Sequence, residues 1–202
     1  MKLLKFSGLI GIAGPFIVFA FILSAIASWE HFNWFNNALS DLGVQGDSTA
    51  IIFNSGLVVG GFLFALFGTG LFQYVGNRLI GKIGTLSFVA ACINLMGIGI
   101  FNENYDPTHY ILSVTFFTLF PIAMLILVGA FWIEGKRKLS IFTLALALAS
   151  ATVWGLQLTI QYVSNVAIPE FVSGLFGAAW VMAVSYLMLK ESSKTTALRN
   201  SS

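Results

Sequence analysis

The sequence predicts an all-α integral membrane protein: one bundle of six transmembrane helices, with a short amphipathic interfacial helix in the first outer loop. Three observations predict it. Six apolar stretches, each near the ~20 residues that a spanning helix needs, divide a chain whose mean hydropathy is +0.89. Charged residues make up 9% of the 202, against about 25% in a soluble domain. All ten Lys and Arg fall at the termini or in the second and fourth connections, on one side of the membrane that the stretches define.

The stretches cover about residues 6–28, 49–73, 80–101, 108–133, 139–163 and 168–189. In the first, Lys2 and Lys5 precede an apolar run from Phe6 to Ala27. That run exceeds the roughly 7–15 residues of a secretory signal core, so it reads as a spanning helix. The connection from Trp29 to Thr49 is the longest. Trp29, Phe32, Phe35, Leu39 and Leu42 recur at helical spacing, polar residues fill the other positions, and Gly43 offers a stop. The pattern predicts a helix lying at the outer interface, with Trp29 and Trp34 at headgroup level. Asp47 or Ser48 would cap the second span. Gly56, Gly60 and Gly61 there, and Gly174 and Gly177 on the sixth, suit close helix approach. Residues 191–202 form a polar, Ser/Thr-rich tail with the composition of disorder.

Charge sets the expected orientation. The first, third and fifth connections, together with the helix starts beside them, hold no Lys or Arg but carry His31, His109 and six of the eight acids. The positive-inside rule places both termini in the cytoplasm and the acidic end outside, in a multi-pass protein of the cell membrane. A net charge of +2, all of its excess cytoplasmic, excludes nucleic acid as a partner. A single Cys, Cys92, excludes an intrachain disulfide and a thiolate cluster. Haem b is not expected, since its ligation would want a pair of His within the helices.

Polar side chains inside the spans cluster toward the outer end. Asn54 and Asn94 lie about two turns below it, and Gln157 and Gln161 share an i, i+4 face of the fifth span. Buried amides are costly and normally face a bundle interior. The pattern predicts an outward-open polar cup, with Asp41, Asp106, His109 and Glu170 around its rim. Several of these residues also have structural readings. Asp106-Pro107-Thr108 matches a helix start with an acidic N-cap and Pro at the first helical position. Glu170 would sit in the first turn of a helix, where the dipole favours an acid. Amides also serve as glue between membrane helices.

The runs Ala38-Leu39-Ser40-Asp41-Leu42-Gly43 and Phe53-Asn54-Ser55-Gly56, with Pro107-Thr108-His109 and Ile168-Pro169-Glu170, carry a family signature. Across residues 6–190 the chain resembles the six-helix membrane proteins of domain-of-unknown-function family 998. The resemblance implies a six-helix bundle. It also implies that Ser40, Asp41, Asn54, His109 and Glu170 matter together, without giving any of them a role.

Three functional classes stay open at this point. A cup could bind a lipid headgroup or small polar ligand through Ser40, Asp41, Asn54, Asn94, Asp106, His109, Gln157, Gln161 and Glu170. A membrane-embedded hydrolase or transferase acting on lipid could use Asp41, His109 and Glu170 as its catalytic groups, with Ser40 as nucleophile. In a metal-dependent form, His31 and His109 would be the ligand candidates. The chain could instead be an accessory subunit of a larger membrane complex, its partners other membrane subunits as well as lipids. A channel is disfavoured, because the inner halves of the spans lack strongly polar groups.

Overall fold

In the computed structural model, residues 2–200 are described. Six long α-helices account for most of them: α1 Lys2–Ser28, α2 Asp47–Tyr74, α3 Leu79–Ile100, α4 Thr108–Ile133, α5 Arg137–Ile160 and α6 Ala167–Asn200. No strand occurs among the described residues. Each helix contains a window long and apolar enough to cross a membrane. In such a solvent, continuous helices satisfy their own backbone groups. Large apolar side chains also cover the outside of the bundle, with Leu158, Leu79, Phe16 and Ile51 all more than 60% exposed. A water-soluble protein rarely carries so continuous an apolar exterior. This is a multi-pass membrane protein.

The helices pack as a closed ring in chain order, with α6 returning to α1; the α5–α6 seam is the least extensive. Glycines permit the tightest crossings. A Cβ on Gly61 of α2 would lie 2.6 Å from the Cys92 carbonyl oxygen of α3, and one on Gly99 of α3 would lie 2.6 Å from that of Asn54. No side chain fits at these backbone contacts, which is the close approach expected of small residues in membrane bundles. The core divides along the bundle axis. One cluster includes Phe67, Phe88, Phe131 and Trp180, with the Trp180 indole N–H donating to Thr143 Oγ1 at 3.0 Å. The other gathers Phe53, Leu57 and Ile98 with Leu39 and Leu42 from the first long connection.

The two ends are built differently. At the basic end the connections are tight turns. Gly135 (φ +74°) follows α4, with its N–H bonded to the Trp132 carbonyl and the Lys136 N–H bonded to that of Phe131. That pair of bonds is the Schellman arrangement, which needs the left-handed backbone that glycine adopts freely. Gly76 (φ +70°) ends α2 in a related way.

At the acidic end three longer connections meet. The first differs from the expected amphipathic helix: only Ser40–Val44 is helical, as a short 3-10 turn. Asn33 Oδ1 accepts from the N–H groups of Phe35 and Asn36, and Asn37 Oδ1 accepts from that of Asn33. These side chains offer the backbone local partners that compete with a helix. Trp29, Phe32 and Trp34 pack inward instead, in an edge-to-face chain that runs on to Phe171 and Phe19, while Phe35 is exposed. Beyond residue 190, α6 runs on to Asn200 rather than giving way to an irregular tail. Extending an existing helix costs far less than nucleating one. Residues 201–202 and the side chain of Asp47, one of the expected caps, lie outside the described residues. The N-cap position of α2 is Gly46.

Candidate functional site

The first long connection closes the acidic end like a lid. Its backbone is tied down from several directions. The Leu39 N–H donates to Glu170 Oε2 at 2.6 Å. The Gly43 carbonyl accepts from Asn54 Nδ2 at 2.9 Å and from Asn102 Nδ2 at 3.1 Å. The Asn165 and Ala167 N–H groups donate to the carbonyls of Phe35 and Asn37, each at 3.0 Å. Leu39 and Leu42 project into the core below and are buried. The expected outward-open cup is therefore roofed by this connection, and two of the four amides predicted to line it, Asn54 and Gln157, help to hold the roof.

The predicted residues separate into three groups. Lid fasteners are Asn54, Asp41 and Gln157. Asp41 Oδ2 accepts from Asn37 Nδ2 at 2.7 Å and the Ala38 N–H at 3.1 Å, folding the lid on itself. Gln157, buried on α5, donates to the Val163 and Asn165 carbonyls and accepts from the Val163 N–H. It thereby shapes the α5–α6 connection that meets the lid. A second group lies away from any shared site. Asn94 donates to the Ala90 carbonyl of its own helix. Gln161 is exposed and left-handed (φ 46°). It stops α5 before the predicted end and leaves the face of Gln157. Asp106 is exposed and accepts from the Tyr110 N–H at 3.3 Å, while Pro107, expected at the first helical position, is the N-cap position of α4. His31 is exposed on the lid.

His109 is buried at the start of α4. Its Nδ1 bonds to the Phe101 carbonyl at 2.8 Å and its Nε2 faces Ser113 Oγ at 3.4 Å. Both ring nitrogens are engaged, and among the described residues no three His, Cys, Asp or Glu side chains come together as metal ligands. Neither His31 nor His109 is joined by two further such side chains among the described residues. Nor does a hydrogen bond link Ser40, Asp41 and His109 into a nucleophile and base. Asp41 is committed to the lid's backbone, and His109 to the α3–α4 connection.

Ser40 and Glu170 form the third group. They border a cavity of about 130 Å³ inside the bundle, beneath the lid. Its walls come from all six helices and are overwhelmingly apolar, with Phe19, Phe88, Phe116 and Phe120 among them. Cavities of about 150 Å³ with such linings stay dry and admit a molecule the size of benzene. Glu170 and Ser173, one turn apart on α6, both border this space. Glu170 uses Oε2 on the lid, and no hydrogen bond engages its Oε1. Ser173 is 6% exposed, and its hydroxyl has no partner. Glu103 and Asp41 are the charged groups that act on the Glu170 carboxyl, and both are acids.

Sequence reasoning missed Ser173 and Ser113. The i, i+3 spacing of Glu170 and Ser173 is a readable sign, but serine is too common in membrane helices to stand out. The apolar wall carries no sign at all, because a cavity-lining Phe and a packed Phe look alike in sequence.

No match to the chain was found among curated proteins or solved structures. One family model does match, over residues 12–187, and its description is a protein of unknown function, DUF998. The match spans nearly the whole bundle from α1 to α6, lid and cavity included, and the chain belongs to that family.

Proposed function

We propose that this protein binds a small amphiphile or a segment of a lipid in the covered cavity, apolar part inward and polar end toward Ser40, Glu170 and Ser173. The observation that carries this is the cavity itself. Protein interiors are normally packed to crystal-like density, and a space of this size leaves its walls without protein dispersion contacts. A buried carboxyl and an unpartnered hydroxyl at one end add a polar address to an apolar container, the usual composition of a small-molecule site. The volume holds about one ring or a short alkyl segment, so a full acyl chain would extend out of the bundle. The loosely packed α5–α6 seam offers it a way into the bilayer.

The protein is purified from its own membranes in mild detergent, and retained small molecules are identified by mass spectrometry. Gly174→Leu serves as comparison. Gly174 lines the cavity, and a Cβ there meets only the Phe19 ring, at 3.5 Å. A larger side chain is therefore accommodated at the expense of the space. A molecule retained by the wild type and lost from Gly174→Leu supports the reading. Equal retention by both, or by neither, rejects it.

We further propose that the acidic end faces outward and both termini the cytoplasm, on the charge segregation alone. Cys92 is the sole cysteine and is buried, so introduced cysteines report cleanly. In intact cells, a membrane-impermeant maleimide should label Asn36→Cys and spare Lys194→Cys. The opposite pattern inverts the topology.

A further inference from the structure

The segregation of charge leaves Glu170 without a protein counter-ion. All ten Lys and Arg belong to the termini or to the two basic connections. Those that pair do so there, as Arg78 with Glu134 and Lys136 with the Tyr74 carbonyl. At the acidic end the two His are unsuited to the task. His31 is exposed, and His109 already spends both nitrogens on Phe101 and Ser113. Glu170 has Glu103 and Asp41 as its charged neighbours, and a carboxylate oxygen that accepts no bond. An isolated ionised carboxylate in an apolar space is costly, so the group keeps its proton until a cation meets it.

We infer that the cavity selects an amphiphile whose polar end is an ammonium group, held by Glu170 Oε1 and Ser173 Oγ. This rests on the cavity-binding reading above and names its ligand class. The chemistry favours a cation over the alternatives. An anion would face three acids and find no basic group at this end of the bundle. A neutral hydroxyl could bond to Glu170 but would give its ionised form no counter-charge. An ammonium brings three donors: one fits the free carboxylate oxygen, one the Ser173 hydroxyl. A donor to an ionised acceptor in a low-dielectric space makes a strong hydrogen bond. The Leu39 N–H already holds Oε2, so the carboxylate is oriented before the ligand arrives. Binding a cation there would also tie the ligand to the lid, since one carboxylate would hold both.

The test uses probes of the cavity's size on the full-length protein in nanodiscs of uncharged lipid, with empty nanodiscs as background. Saturable binding of para-fluorobenzylammonium, para-fluorobenzyl alcohol, para-fluorobenzoate and fluorobenzene is followed by fluorine NMR. The expected order places the ammonium tightest, roughly tenfold above the alcohol, with benzoate unbound. Glu170→Gln keeps an acceptor for the Leu39 N–H and removes the charge. It should weaken the ammonium about tenfold and leave fluorobenzene unchanged. Ser173→Ala should weaken the ammonium about threefold. Unchanged fluorobenzene binding certifies that each variant retains the cavity. If the alcohol binds as tightly as the ammonium, or Glu170→Gln leaves that preference intact, the ammonium inference is overturned while cavity binding stands. If no probe saturates, cavity binding falls with it.

Discussion

The acidic and basic ends use polar groups in opposite ways. At the basic end, polarity is largely exposed, and its tertiary links are few: Lys136 to the Tyr74 carbonyl and Arg78 to Glu134. Two glycine-ended turns close the connections within a few residues, and the charged side chains lie over nearby rings or backbone. At the acidic end, polarity acts across the bundle. Asn54, Asn102, Gln157 and Glu170 reach from four different places in the chain to hold a lid and the connection beside it. One end is finished by turn chemistry and the other is assembled by tertiary hydrogen bonds. The assembled end covers its space, whereas the hollow at the basic end, bordered by Lys2, Gln73 and Lys82, is open, so function is to be sought where polar groups do more than end a helix.

The sharpest break in this comparison removes the lid's apolar anchor. Leu42 is fully buried beneath the lid. Leu42→Ala should destabilise the protein by about 3 kcal/mol, the usual cost of a large-to-small change in a packed core. The loss should be concentrated at the acidic end. Hydrogen exchange over residues 29–46 should accelerate strongly, while the turns around Gly76 and Gly135 keep their protection. Uniform acceleration at both ends would mean the lid is not a separate cooperative unit.

Gln157 comes next. Its side chain makes three hydrogen bonds to the α5–α6 connection from a buried position. Gln157→Leu should cost about 2 kcal/mol, because the Val163 backbone is left buried without its partner. The variant should also loosen the lid, since Asn165 and Ala167 in that connection bind the Phe35 and Asn37 carbonyls. Denaturant unfolding in micelles gives the first quantity, and limited proteolysis within residues 29–46 the second.

These fasteners show which parts of the molecule the sequence could disclose. The spans were legible because hydropathy acts residue by residue over ~20 positions. Glu170 stood out because an acid beside an apolar span is rare. The amides were found, but their purpose was misread. Asn54 and Gln157 look in sequence like the lining of an open cup, since depth in a helix is readable while a side chain's partner in another part of the chain is not. The lid was mistaken for a helix for a similar reason. The spacing of Trp29, Phe32, Phe35, Leu39 and Leu42 fits a helical face, yet Asn33 and Asn37 bind the local backbone and break it. The cavity was invisible because emptiness depends on how six helices fail to fill a ring.

At the basic end the expected effects are smaller. Lys136 donates to the Tyr74 carbonyl at 2.7 Å and lies 3.4 Å from the centre of the Tyr74 ring. Lys136→Met should cost about 1 kcal/mol. Burial lowers the pKa of its ammonium, against the opposing influence of Glu191 and Glu134. A lysine with a depressed folded-state pKa binds fewer protons folded than unfolded, so stability rises with pH in the alkaline range below about 10.4. Unfolding measured across that range should show the slope in the wild type and lose it in Lys136→Met. An unchanged slope would assign it to another group.

Arg78 should matter least. Its Nε lies 3.6 Å from Glu134 Oε1, and the two side chains are 64% and 30% exposed. A pair so open to water contributes about 0–0.5 kcal/mol, and salt screens it. Arg78→Ala should therefore leave unfolding within about 0.5 kcal/mol of the wild type at physiological salt. Its charge should count in another measurement. The positive-inside rule acts during insertion rather than in the folded bundle. Arg78→Ala combined with Lys82→Ala should increase the fraction of misoriented chains, read by cysteine labelling, with little change in the stability of correctly inserted ones. A large loss of folded stability would mean that the basic end, like the acidic one, holds itself together through its ionisable groups, and the contrast between the two ends would fail.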